Sequence, residues 1–171
     1  MSKLATIVAA GFIAAIAVGA TTFTHVLDPG RSEANGIELN LLVGVGHGGL
    51  ANDWFAGQSG VVAAPVGSRL VVHAGPGAGY QLVSRPLPVY AQHHYVVTVR
   101  WHTSKVIGAG VGVADLDATR YLTTKDVSDN RGFVSTAVPF DTGSQHRVTI
   151  VLYSPAGATI ELVSASLKRS G

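Results

Sequence analysis

From Ile37 onward apolar residues recur at every second position, in runs punctuated by Gly, Pro, Asn and Asp. Successive side chains of a strand point to opposite faces, so this period marks strands with one buried face. The clearest instance is residues 95–102, where Tyr95, Val97, Val99 and Trp101 share one face and Thr98, Arg100 and His102 the other. In residues 147–153 the inward set is Val148, Ile150 and Leu152. Similar alternation predicts strands over 37–43, 61–64, 69–74, 80–84, 106–114, 133–140 and 159–167. A parallel pair needs a crossover of about a dozen residues or more, usually a helix, and the connectors here are shorter. An antiparallel all-β sandwich is expected. Gly75-Pro76-Gly77-Ala78-Gly79 and Ser154-Pro155-Ala156-Gly157 read as hairpin turns, and the longest polar stretch, 123–132, as an exposed loop.

The N-terminus departs from this pattern. After Met1-Ser2-Lys3, residues 4–26 carry no charge. As a helix, such a run is long enough to cross about 30 Å of hydrocarbon. A signal peptide is the competing reading, with Val18-Gly19-Ala20 as its small-residue cleavage pattern. The run exceeds the roughly 7–15 apolar residues of a cleaved signal, which favours a transmembrane anchor. Lys3 keeps the N-terminus inside, so the rest is exported under either reading. The expected organisation is an anchor or signal at 1–26, a turn-rich linker at 27–36 and an extracytoplasmic sandwich at 37–171. The protein is thus placed in the cytoplasmic membrane with its C-terminal domain on the periplasmic or extracellular side.

Charge content changes the picture further. Asp, Glu, Lys and Arg make up 13% of the 171 residues, against roughly 25% in ordinary soluble domains. Lys3 is the only charge before Asp28, so the deficit belongs to the sandwich. Its surface must be built from Ser, Thr, Gly, Gln, Asn and small apolar residues, which suits contact with a partner. A net charge of +2 with no basic stripe speaks against nucleic acid. The absence of cysteine excludes disulfides and thiolate metal sites.

Several segments in order carry a family likeness: Asn40-Leu41-Leu42-Val43, Asn52-Asp53-Trp54, Gly67-Ser68-Arg69-Leu70-Val71-Val72, Gly79-Tyr80-Gln81-Leu82, Pro86-Leu87-Pro88-Val89 and His94-Tyr95-Val96-Val97-Thr98-Val99. Val138-Pro139-Phe140-Asp141-Thr142 and the closing Ile160-Glu161-Leu162-Val163-Ser164-Ala165-Ser166-Leu167 complete the series. Over about residues 38–167 the chain resembles the jelly-roll sandwich of carbohydrate-binding modules and galactose-binding-like domains. The resemblance implies a jelly roll and a sugar site formed by an aromatic platform or polar cleft. Many members of that group also hold a structural calcium near the first and last strands. Here the closing strand offers Glu161 and Ser164 where an Asp is expected. Trp54 stands where the group has a core tryptophan, and Trp101 lies on an inward stripe. For sugar stacking the aromatic candidates are Trp54, Tyr80, Tyr90 and Tyr121.

No reaction is written in the sequence. Gly44-Val45-Gly46-His47-Gly48-Gly49 has the His-Gly-Gly of an oxyanion hole but no Gly-x-Ser-x-Gly nucleophile elbow accompanies it. The same run lacks the Lys-Ser/Thr of a phosphate loop. His93 and His94 are adjacent and so face opposite sides of a strand, while His73 and His102 require a particular register to meet. Asp115 and Asp117 share a strand face if the strand continues, and either help hold calcium, serve as an acid/base pair or cap turns; Asp126, Asp129 and Asn130 fall in the polar stretch and either ligate calcium or cap turns. Neither a catalytic set, a metal site nor a cofactor is expected. Two roles remain. One is a non-catalytic accessory subunit that docks its sandwich on a larger integral membrane complex, such as a respiratory or photosynthetic reaction-centre assembly. The other is a cell-envelope glycan-binding module of the carbohydrate-binding type.

Overall fold

Burial alternates along the central strand as the sequence period requires: Tyr95, Val97, Val99 and Trp101 are buried while Arg100 is exposed. The computed structural model describes residues 37–38, 53–115, 120–129 and 131–170. In chain order the strands are β1 (Ile37–Glu38), β2 (Trp54–Ala56), β3 (Val62–Val66), β4 (Arg69–His73), β5 (Gly79–Ser84) and β6 (Leu87–Pro88). There follow β7 (His94–Thr103), β8 (Gly110–Ala114), β9 (Tyr121–Asp126), β10 (Val134–Asp141), β11 (Arg147–Ser154) and β12 (Thr159–Arg169). They form two antiparallel sheets. The first runs β10-β7-β12-β4-β3, with β1 also on β12; the second runs β2-β5-β11-β8-β9, with β6 also on β11.

The core lies between the sheets. Leu70, Val72, Val97, Val99, Trp101, Phe140, Ile160 and Leu162 come from the first, and Trp54, Leu82, Val111, Val113, Val148, Ile150 and Leu152 from the second. Both indoles are fully buried. Trp101 Nε1 donates to Thr136 Oγ1 at 3.0 Å, whereas Trp54 Nε1 has no acceptor among the described residues.

The chain passes repeatedly from one sheet to the other, as a jelly roll does. Gly75–Gly79 joins β4 of the first sheet to β5 of the second, and Ser154–Gly157 returns from β11 to β12. The two segments expected to be hairpin turns are therefore arches between layers. Gly and Pro mark a chain reversal but do not say which sheet receives the returning strand. A true hairpin joins β3 to β4, where Val66 opposite Arg69 leaves Gly67-Ser68 as the turn, with Gly67 at φ 61°.

Two further expectations change. The first four residues of the 123–132 stretch are strand: β9 is a sheet edge, exposed along its last three residues, so its polar sequence carries little alternation. β8 begins at Gly110 rather than at 106, because Val106 closes a turn through its carbonyl on the Ala109 N–H at 2.9 Å. Among the described residues no helix is long and apolar enough to cross a membrane. The anchor expected at 1–26 and the linker at 27–36 lie outside the described residues, as do residues 39–43, His47, Asp117 and Asn130.

Three β-bulges interrupt the ladders. β5 carries one extra residue opposite the Leu152/Tyr153 step of β11. β9 carries one opposite the Val113/Ala114 step of β8. The third, in β12, falls between Leu162 and Ser164, opposite β7.

Candidate functional site

The outward side of the second sheet, away from the core, follows from its register. Phe55 pairs with Val83, Val83 with Val151, Val151 with Gly112, and Gly112 with Thr124, which makes one row across all five strands. The next row is Tyr80, Tyr153, Gly110 and Asp126. Two glycines of β8 thus leave a strip without side chains in the middle of this face. Tyrosine rings occupy it. A Cβ built on Gly112 would collide with the ring of Tyr121, and one on Gly110 with the ring end of Tyr153 and, at 2.5 Å, with the Lys125 carbonyl.

The rings form one cluster. Tyr80 and Tyr121 meet edge to face with centroids 5.3 Å apart, and Tyr121 and Tyr153 lie at 6.1 Å. Edge-to-face pairs at these separations satisfy the quadrupoles of both rings. Tyr153 Oη donates to Asp126 Oδ1 at 2.6 Å. Val151, on the same side of β11, is fully buried, and each of the three tyrosines is half-buried. Partial burial raises the Tyr121 hydroxyl well above its ordinary range; its hydrogen bond with Tyr80 and the neighbouring Tyr80 and Tyr153 act in the same direction. Tyr153 is raised by burial first and by Asp126 second. The Tyr121 and Tyr153 hydroxyls therefore stay protonated at neutral pH, as donors and acceptors on an apolar platform.

Of the four aromatic residues picked from the sequence, the structure brings Tyr80 and Tyr121 together. Trp54 is a correction. It faces the interior with no exposed surface, because it shares the inward side of β2 with the Ser84 partner on β5. Tyr90 is exposed but lies elsewhere: its ring meets His93 at 5.9 Å, and the Arg169 guanidinium sits over it at 6.0 Å. Tyr153 was missed. Its signal was present, since alternation with Val148, Ile150 and Leu152 inward puts Tyr153 outward.

The remaining polar candidates are occupied locally. Asp115 Oδ1 accepts the Arg120 N–H at 3.2 Å, and Asp129 Oδ1 accepts the Arg131 N–H at 2.9 Å, both turn-capping bonds. His73 and His102 flank β12 opposite Thr159 and Glu161 respectively. Glu161 on the closing strand is paired with Arg69 at 2.6 Å. His94 pairs with Asp141.

No protein-family model matches the sequence, and no curated protein does. Solved structures do match. A carbohydrate-binding module described as CBM4 superposes with a TM-score of 0.56 at 12% identity, over 72% of this chain and 93% of that one. The chain has the fold of a carbohydrate-binding module. The second N-terminal cellulose-binding domain of Cellulomonas fimi β-1,4-glucanase C gives 0.52 at 18% identity, over 78% and 96%. The CBM22-1 and GH10 modules of Clostridium thermocellum xylanase 10B, solved with xylohexaose, give 0.56 at 11% identity, over 79% of this chain and 28% of that one. The expected jelly roll holds.

Proposed function

We propose that this domain is a non-catalytic glycan-binding module that holds a neutral, β-linked polysaccharide against the tyrosine face of its second sheet. The observation that carries the reading is the cluster Tyr80, Tyr121 and Tyr153 packed over the glycine strip of Gly110 and Gly112. Aromatic rings match the apolar C–H faces of pyranose sugars, while phenolic hydroxyls and the Asp126 carboxylate bond to sugar hydroxyls. A carboxylate on the face disfavours polyanionic glycans by repulsion. The fold likeness to a cellulose-binding domain, and to part of a CBM22-1–GH10 chain solved with xylohexaose, supports the same choice.

The charge-poor surface suits a neutral polymer as well as it suits a protein partner. Docking on a membrane complex has its main support in the segment 1–26. In our reading that segment delivers the sandwich to the outer side of the cytoplasmic membrane, where envelope glycans are within reach.

Affinity gel electrophoresis against xylan, mixed-linkage β-glucan and hydroxyethyl cellulose tests the proposal. The wild-type chain is expected to be retarded by at least one of them. Tyr121→Ala should weaken retention about tenfold or more, the loss of roughly 1.4 kcal/mol, because it removes one ring and the support of two others. Tyr90→Ala should migrate as wild type. Absence of retardation on every polysaccharide refutes the reading.

A further inference from the structure

The tyrosine face exists because two strands break their own alternation. On β5, Leu82 is buried in the core opposite Leu152. Strict period two from Leu82 would send Gln81 outward and Tyr80 inward. Instead the register skips Gln81, so that Tyr80 lies directly opposite Tyr153 and on the same outward side. On β9 the same device operates. Thr123 pairs with Val113, Tyr121 pairs with Ala114, and Leu122 is the extra residue, packed against the core. Each bulge turns one tyrosine toward the other, and the two rings meet at 5.3 Å.

A bulge in a ladder is held only if something holds the surplus residue, since closing it would restore regular pairing. Gln81 is held on all sides. Its side chain is fully buried. Oε1 accepts the Gly75 N–H at 3.0 Å. Nε2 lies within hydrogen-bonding distance of the Gly77 carbonyl at 3.1 Å, the Ser154 carbonyl at 3.2 Å and the Gly79 carbonyl at 3.3 Å. The Gln81 carbonyl accepts the Gly57 N–H at 3.0 Å. Buried amides of this kind are costly to leave unpaired, so each bond resists rotation of Gln81 to the surface.

We propose that Gln81 is a positioning residue of the glycan face, locking the bulge that presents Tyr80 beside Tyr121. This rests on the glycan-binding reading of that face, but its geometric part stands apart from any ligand. Gln81→Met keeps length and volume and removes every amide bond, which frees β5 to close the bulge and carry Tyr80 inward. Deletion of Gln81 acts oppositely: with the surplus residue gone, plain alternation from Leu82 keeps Tyr80 outward and opposite Tyr153.

The test is proton NMR of the full chain and both variants, run beside affinity gels of xylan, mixed-linkage β-glucan and hydroxyethyl cellulose. In Gln81→Met the Tyr80–Tyr121 ring cross-peaks should vanish while those of Tyr121–Tyr153 persist; general loosening of the fold would weaken both. In the deletion variant both sets should remain. Retardation should be lost in the first variant and kept in the second. Persistence of the Tyr80–Tyr121 contact in Gln81→Met overturns the proposal, as does its loss from a folded deletion variant. If Gln81→Met fails to fold, the deletion variant alone decides. Wild-type chain that shows the expected contacts but binds no glycan refutes the function and leaves the positioning role standing.

Discussion

Gly112→Ala offers the sharpest structural test of the ring-over-glycine arrangement. The added methyl collides with the Tyr121 ring edge, with a second ring carbon at 2.8 Å and the Thr123 carbonyl at 3.5 Å. The neighbour is a side chain, so the ring can swing away, but only by giving up its packing on β8 and its contact with Tyr80. Overpacking of this kind costs about 1–3 kcal/mol. Restricting the unfolded chain returns about 0.4–1 kcal/mol. The net expectation is a loss of about 1–2 kcal/mol. Gly110→Ala should be worse, roughly 2–3 kcal/mol, because the Lys125 carbonyl at 2.5 Å belongs to a neighbouring strand that must itself shift. Gly132→Ala is the control. Its Cβ would meet nothing within 4 Å, and none of the three glycines has a left-handed backbone. It should be neutral or slightly stabilising. Urea unfolding followed by the fluorescence of buried Trp54 and Trp101 reads the series, with each kcal/mol also moving Tm by about 2–8 °C. Gly112→Ala as stable as Gly132→Ala would refute the packing argument.

Other consequences can be checked in the same background. Trp101→Phe strands the buried Thr136 hydroxyl and should cost about 1–2 kcal/mol more than Trp54→Phe, which removes an N–H with no acceptor among the described residues; urea midpoints measure the difference. Arg85→Ala uncouples Asp53, whose carboxylate is only 14% exposed and lies 2.5 Å from the guanidinium, and should cost about 1 kcal/mol or more. Arg131→Ala, where the arginine is 89% exposed, should change the midpoint little. Tyr121 and Tyr153 have raised folded-state values, so the stability held in their neutral hydroxyls is complete below the ordinary 10.0 and is lost as pH rises above it. Alkaline difference spectroscopy should find two tyrosines that ionise only as the chain unfolds, and simple titration of all five near pH 10 would contradict the burial described.

The strands that build the core were legible because one face is buried and the other wet. Tyr95 through His102 follow that rule closely, whereas in Val148 through Leu152 the apolar period is visible in the sequence although the outward Thr149 and Val151 are buried as well. Edges were less so: β9 contacts solvent on much of its length, so nothing imposes alternation on Thr123, Thr124, Lys125 and Asp126. Pairing between layers was hidden too, since Gly75–Gly79 looks alike as a hairpin or as an arch. The site was half visible. Tyrosine as the stacking residue could be chosen from chemistry, and Tyr153 placed by period two. The orientations of Tyr80 and Tyr121 could not, because both depend on an unpaired residue that reverses the alternation, and that reversal is a property of register rather than of local sequence.

Sugar bound on the outward side of the second sheet would perturb that face residue by residue. Titration of the isotopically labelled protein with xylohexaose and cellohexaose, followed by amide and ring chemical shifts, reads this out. Shifts are expected to concentrate at Tyr80, Gly110, Gly112, Tyr121, Asp126 and Tyr153, with Tyr90, Arg69 and Glu161 unmoved. Shifts confined to the first sheet, or none with either sugar, would contradict it.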